Sequence, residues 1–153
     1  MGFCKSRNFP RFLKWALIGL MIVILGLLLT LPWSITWLTD RTPNDPEGMY
    51  IKYLVTMGVS GVMAELVLWQ VLGIIRNVIN GRVFSDDTVR RIRVVAFEFL
   101  ALGVFYGGAL LWVHKFFMAL LFVTLVLACC FVLVMAEVFH QANQFKEEND
   151  MTI

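Results

Sequence analysis

Polar and apolar positions along this chain fall into long blocks. From Trp15 to Thr39, and again from Phe116 to Ala136, there is no Lys, Arg, Asp or Glu. About 20 helical residues cross roughly 30 Å of hydrocarbon, so such blocks are long enough to span a bilayer. The pattern predicts four transmembrane helices over about residues 12–38, 50–75, 94–113 and 116–139, followed by a polar tail over 140–153. The fold class expected is all-α: one membrane domain built as a four-helix transmembrane bundle.

The connections differ in kind. Thr39 to Gly48 combines prolines, a glycine and alternating charges, which cannot continue a buried helix, and reads as a hydrated loop. Trp33 and Trp37 before it, and Tyr50 and Tyr53 after it, are the aromatic residues of a headgroup-level belt. His114-Lys115 alone separates the third and fourth segments, and so short a connection forces an antiparallel pair. Between the second and third segments, Asn80-Gly81 signals a turn. Ser85 then reads as a helix N-cap, with Asp86 and Asp87 in a first turn where the helix dipole favours acid. Val89 and Ile92 lie three apart while Arg90, Arg91 and Arg93 reach headgroups, giving helix three a short interfacial start.

Composition agrees with lipid as the solvent. Of 153 residues, 59% are hydrophobic and 16% charged, and the mean hydropathy is +0.78, beyond the range of an ordinary soluble domain. The net charge of +2 carries no implication of nucleic acid. Its distribution says more. Ten of the thirteen Lys and Arg lie in the N-terminal head (Lys5, Arg7, Arg11, Lys14), the central loop and the tail; only Arg41, Lys52 and Lys115 lie on the other face. Positive charge stays inside, so both ends and the central loop are expected in the cytoplasm. The run from Phe12 to Leu38 is too long for a signal-peptide core, has no A-x-A site, and reads as a first anchor. The opening Met1-Gly2-Phe3-Cys4-Lys5-Ser6 fits a myristoylation pattern loosely, and Phe3 suits it poorly. Cys129 and Cys130, about 100° apart on a helix, read as small packing residues.

Candidate chemistry is sparse. Glu65 lies about 11 residues, roughly 16 Å of helix, from Arg76 and comparably far from Tyr53, near the bilayer centre. A carboxylate there is costly. It reads either as an ion, proton or ligand contact, or as a neutral acid bonded to a neighbouring helix through a residue such as Tyr106 or Thr124. Glu98 and Glu137 stand closer to helix ends and are expected to pair with Arg76, Arg90, Arg91 or Arg93 at the cytoplasmic interface. Glu137 and His140 form a single Glu-x-x-His where a dimetal bundle needs two, so no metal and no cofactor is expected. Gly103 and Gly107 form a G-x-x-x-G that serves either packing within the bundle or dimerisation. No Ser-His-Asp grouping, phosphate-cradling glycine loop or HExxH is present, which removes the usual support for hydrolase or nucleotide chemistry.

Several segments together resemble a bacterial family of small membrane proteins, domain of unknown function 2975. They are Leu31-Pro32-Trp33, Tyr50-Ile51-Lys52-Tyr53, Val83-Phe84-Ser85 with Val89-Arg90-Arg91-Ile92-Arg93, and the ending Glu147-Glu148-Asn149-Asp150-Met151-Thr152-Ile153. Met151 stands where that family usually has Leu. The resemblance implies a four-helix protein of the bacterial plasma membrane, often encoded beside a small helix-turn-helix regulator, and brings no catalytic residues. The expected function is non-enzymatic: a regulatory, sensing or immunity-like role through a protein partner or membrane-active peptide. The central arginines would form the working surface, and Glu147, Glu148, Asn149, Asp150, Thr152 and Ile153 a docking tail. The alternative is a small homo-oligomeric transporter or channel using Glu65.

Overall fold

The computed structural model describes residues 9–39, 46–113 and 116–151. The head residues Lys5 and Arg7, the myristoylation-like start with Cys4, the loop from Asp40 to Asp45, His114, Lys115, Thr152 and Ile153 lie outside the described residues. Four helices make up the fold: α1 (Phe9–Thr39), α2 (Pro46–Ile79), α3 (Asp86–Val113) and α4 (Phe116–Met151). At 31, 34, 28 and 36 residues, every one exceeds the length a bilayer core requires, and all four are apolar enough to cross it.

Each helix outruns its predicted span, for local reasons. Pro46 begins α2, where its fixed φ suits a first helical residue that needs no N–H partner, so part of the expected loop is already helix. The interfacial start of helix three is the first two turns of α3 itself. The polar stretch after residue 139 continues α4 through Met151. Pro32 sits inside α1 and removes one ladder donor. Nearby, Thr30 and Ser34 donate their hydroxyls back to Gly26 and Thr30 carbonyls at 3.2 and 3.1 Å, keeping polar atoms off the lipid.

Packing follows chain order. Among the described residues α1 packs on α2, α2 on α3 and α3 on α4, and α4 touches neither α1 nor α2. Residue pairing makes every neighbour antiparallel. A Cβ on Gly61 of α2 would overlap the Leu28 side chain of α1, and Ile35 and Met57 flank one cavity farther along. The Tyr106 hydroxyl of α3 donates to Ser60 of α2, whose own proton goes to the Thr56 carbonyl at 2.6 Å. Gly103 and Gly107 of α3 meet α4: a Cβ at Gly107 would sit 3.2 Å from the Phe122 ring, and one at Gly103 3.5 Å from the Leu125 Cβ. Both glycines therefore serve packing inside the bundle, letting two backbones approach as small residues do in membranes. Cys129 is buried and Cys130 exposed, as their angular offset requires.

This order gathers the start of α1, the α2–α3 turn and the end of α4 at one end of the molecule. The two outer helices leave wide apolar faces, with Ile35 the only buried described side chain of α1. Exposed Trp15, Leu29, Trp33, Phe116, Leu127 and Phe131 are what lipid covers in a chain of this class.

Candidate functional site

The polar chemistry concentrates in the corner between α2 and α3. Helix α2 ends in a Schellman-type cap: the Arg82 N–H donates to the Asn77 carbonyl at 2.8 Å and the Gly81 N–H to the Val78 carbonyl at 3.1 Å. Gly81 has φ 73°, the left-handed value for which glycine is suited. Ser85 caps α3 as its sequence position predicts, its Oγ accepting the Thr88 N–H at 3.4 Å.

Thr88 is the centre of this corner and is fully buried. Its Oγ1 accepts from Asn77 Nδ2 at 3.1 Å and from the Ser85 hydroxyl at 3.0 Å, while its own proton goes to the Arg82 carbonyl at 3.4 Å. Asn77 also donates to Asp87 Oδ2 at 2.8 Å. Arg91 closes the circuit, with Nε to Asp87 Oδ2 at 2.9 Å and Nη1 to Gln70 Oε1 at 3.3 Å. The Arg91 guanidinium lies over Gly73, where any Cβ would overlap it. Gln70, Gly73 and Asn77 stand three and four residues apart on one face of α2, so a flat cation can lie across the bare glycine backbone between two amide side chains.

Helix α4 is tied in at the same level. Buried Asn143 donates to Asp86 Oδ1 at 3.1 Å, and the Phe84 and Phe139 rings meet at 5.7 Å. Arg93 and Glu137 form an ion pair at 4.0 Å, fulfilling the pairing expected of Glu137, whose other oxygen accepts from Gln141 at 3.4 Å. His140 contacts Gln144 at 3.3 Å, so the residues of the Glu-x-x-His go to separate partners. Arg76 and Arg90 are exposed. A cleft of about 420 Å³ lies beside Arg90 and Arg93 on the α4 side, and one of about 250 Å³ beside Arg90 and Arg91 on the α2 side. Glu147, Glu148, Asn149 and Asp150 ride on the last turns of α4.

Two acids stand apart from this corner. Glu65 is half-buried on α2, one turn from Gly61 on the row that meets α1, with one carboxylate oxygen shut away and no hydrogen-bond partner. Of the two readings offered for it, the bond to a neighbouring helix is not made through either residue named: Tyr106 bonds Ser60, and Thr124 bonds the Leu120 carbonyl within α4. Glu98 departs from expectation more sharply. It pairs with none of Arg76, Arg90, Arg91 or Arg93; it lines a cavity among α1, α2 and α3, with one oxygen buried and unpartnered. The reason is angular, since five residues from Arg93 place Glu98 about 140° around the helix from it.

Sequence reasoning did not single out Thr88, Asn77, Asn143, Gly61 or Gly73. The Gln70–Gly73–Asn77 spacing was a readable signal: two amides and a glycine on one helical face near a membrane exit.

Four antiparallel membrane-crossing helices with a hydrogen-bonded polar corner at one end define a multi-pass α-helical membrane protein. Within that class the chain belongs to the family described as protein of unknown function DUF2975, whose model matches residues 34–153. The matched stretch takes in α2, α3, α4 and the ending that carries the resemblance, while Leu31-Pro32-Trp33 falls just before it. Among curated proteins and solved structures, nothing matches the chain.

Proposed function

We propose that this chain is a non-enzymatic interaction protein of the bacterial plasma membrane, working in regulation, sensing or self-protection through a protein partner or a membrane-active peptide. The carrying observation is the corner itself. Thr88, Asn77, Asp87, Arg91 and Asn143 are spent on fixing α2, α3 and α4 to one another. Arg90 is left exposed, as is Arg93, whose ion pair is long, on a rigid mount beside the acidic end of α4. The hydroxyls in the corner bond carbonyls, amides and each other, so none is activated by a general base.

A cytoplasmic corner has support in the antiparallel order. That order brings Arg11 and Lys14 to the same end as Arg76, Arg82, Arg90, Arg91, Arg93 and Lys146, and leaves Lys52 alone at the other among the described residues. Such asymmetry is what sets cytoplasmic loops.

The test is crosslinking followed by affinity capture from native membranes, comparing the intact chain with one lacking Lys146 to Ile153 and with an Arg90→Glu/Arg93→Glu variant. The expected result is one discrete partner whose yield drops about tenfold or more in both variants while membrane insertion is unchanged. A partner retained in full by both variants, or recovery of copies of this chain alone, rejects the corner as a docking surface.

The partnerless carboxylate of Glu65 favours a second reading, a small oligomeric transporter or channel. In reconstituted vesicles Glu65→Gln is then expected to abolish ion or solute flux; equal flux in the variant removes that reading.

A further inference from the structure

The cleft of about 250 Å³ between α2 and α3 is lined by Trp69 and Gln70 from one helix and by Asp87, Arg90, Arg91 and Val94 from the other. Two guanidinium groups against one carboxylate leave it one positive charge. The carboxylate is already engaged, Asp87 Oδ2 accepting from both Asn77 and Arg91. The cations keep donors to spare. Arg90 is exposed and makes no hydrogen bond or ion pair among the described residues. Arg91 gives Nε to Asp87 and Nη1 to Gln70, which leaves its Nη2 without an acceptor among the described residues. The bare backbone of Gly73 seats this second guanidinium. One donor of the pair is therefore held in place before a ligand arrives, which lowers the cost of binding.

What lies deeper decides the kind of anion. Trp69 stands four residues, about 6 Å, from Gly73 towards the membrane interior, and Val94 three residues beyond Arg91 in the same direction. The cleft thus descends from two guanidinium groups to an exposed indole and a valine, and an indole with one wet and one apolar end belongs at the headgroup boundary. A free anion would use the upper part alone, whereas a phospholipid uses all of it. Basic pockets between membrane helices are suited to anionic headgroups. We propose that this cleft binds one anionic phospholipid, its phosphodiester accepting from Arg90 and from Arg91 Nη2, with the glycerol and the start of an acyl chain against Trp69 and Val94. The inference goes beyond the docking role of the corner, because a lipid on the α2 side leaves Arg93 and the end of α4 uncovered.

The experiment is native mass spectrometry of the full chain, delipidated in mild detergent and titrated with phosphatidylglycerol, phosphatidylcholine or phosphatidylethanolamine of the same acyl chains. One phosphatidylglycerol per chain is expected to bind about tenfold or more tightly than phosphatidylcholine, which carries the same phosphodiester but adds a cation beside the arginines. Arg90→Gln is expected to weaken phosphatidylglycerol about tenfold or more, because a charge-assisted hydrogen bond is lost. Arg90 takes no part in the bonds of the corner, and thermal unfolding checks that the variant is folded. Arg93→Gln, outside this cleft, is expected to bind as the natural chain does. The chain lacking Lys146 to Ile153 should keep the lipid too, so failure of this site and failure of the docking surface show separately. Equal binding of phosphatidylglycerol and phosphatidylcholine, a preference retained by Arg90→Gln, or an equal loss in Arg93→Gln would each overturn the proposal. Tighter binding of phosphatidylethanolamine would bring the Asp87 carboxylate into the site and overturn the anionic lipid. Calorimetric titration with inorganic phosphate alone is expected to show no binding; affinity equal to that for phosphatidylglycerol would assign the cleft to a free anion and overturn the lipid.

Discussion

Thr88→Val is expected to lower the stability of the protein by about 1–3 kcal/mol, the cost of leaving buried polar groups without partners. The substitution keeps shape and β-branching, so packing is preserved and only the hydroxyl is lost. Without it the Arg82 carbonyl loses a donor, the Ser85 hydroxyl loses its acceptor, and Asn77 keeps Asp87 alone. Thr88 is fully buried, so water does not take the place of its hydroxyl. Thermal unfolding in mild detergent, with Thr88→Ser as the control that retains the hydroxyl, reads the effect. Equal midpoints for Val and Ser would show that the network does not hold the corner.

The second large effect is expected at Gly61→Leu. A side chain at residue 61 must displace Leu28, and overpacking of this kind costs about 1–3 kcal/mol. The consequence falls on one interface, because α1 packs on α2 and on no other helix among the described residues. Detachment of α1, with the other three helices intact, is therefore the expected outcome. Spin labels on the exposed residues Ile22 and Leu66 report it as a broadened distance distribution. Adding Leu28→Ala makes room for the new side chain and should narrow the distribution again. An unchanged distribution in Gly61→Leu alone would mean that Leu28 yields freely and that the close approach does not hold α1.

How much of this was legible in the sequence depended on the range of each signal. The Asn80-Gly81 turn and the Ser85 cap act within a few residues of chain and stand in the structure where the sequence put them; the four apolar helices are there too, each longer than its predicted span. The Arg93–Glu137 pair was readable because the short α3–α4 connection fixes those helices antiparallel and so matches their depths. Glu98 was misread because depth alone was counted: its rise from Arg93 is small, but its direction around the helix is different. Glu98 lies seven residues from Arg91 and so shares the face turned to α2, while Arg91 reaches the opposite way to Asp87 and Gln70. Thr88 and Asn143 escaped notice since a lone Thr or Asn acquires meaning only from the helix that crosses it. Gly61 and Gly73 likewise looked like ordinary small residues of an apolar helix, and their use appears only when Leu28 and Arg91 lie against them.

The chain-order packing bears on how the protein is made. Among the described residues every helix contact joins segments adjacent in sequence, so sequence separations between partners stay short and the topology is of the kind that forms fast. A ribosome delivering α1, α2, α3 and α4 in turn supplies each newcomer with its only required neighbour already in the membrane. After α1, which waits for α2, no span has to wait for a later one before it finds a neighbour, and the Asp86–Asn143 bond, made when α4 emerges, fastens the last helix to a corner that is already complete.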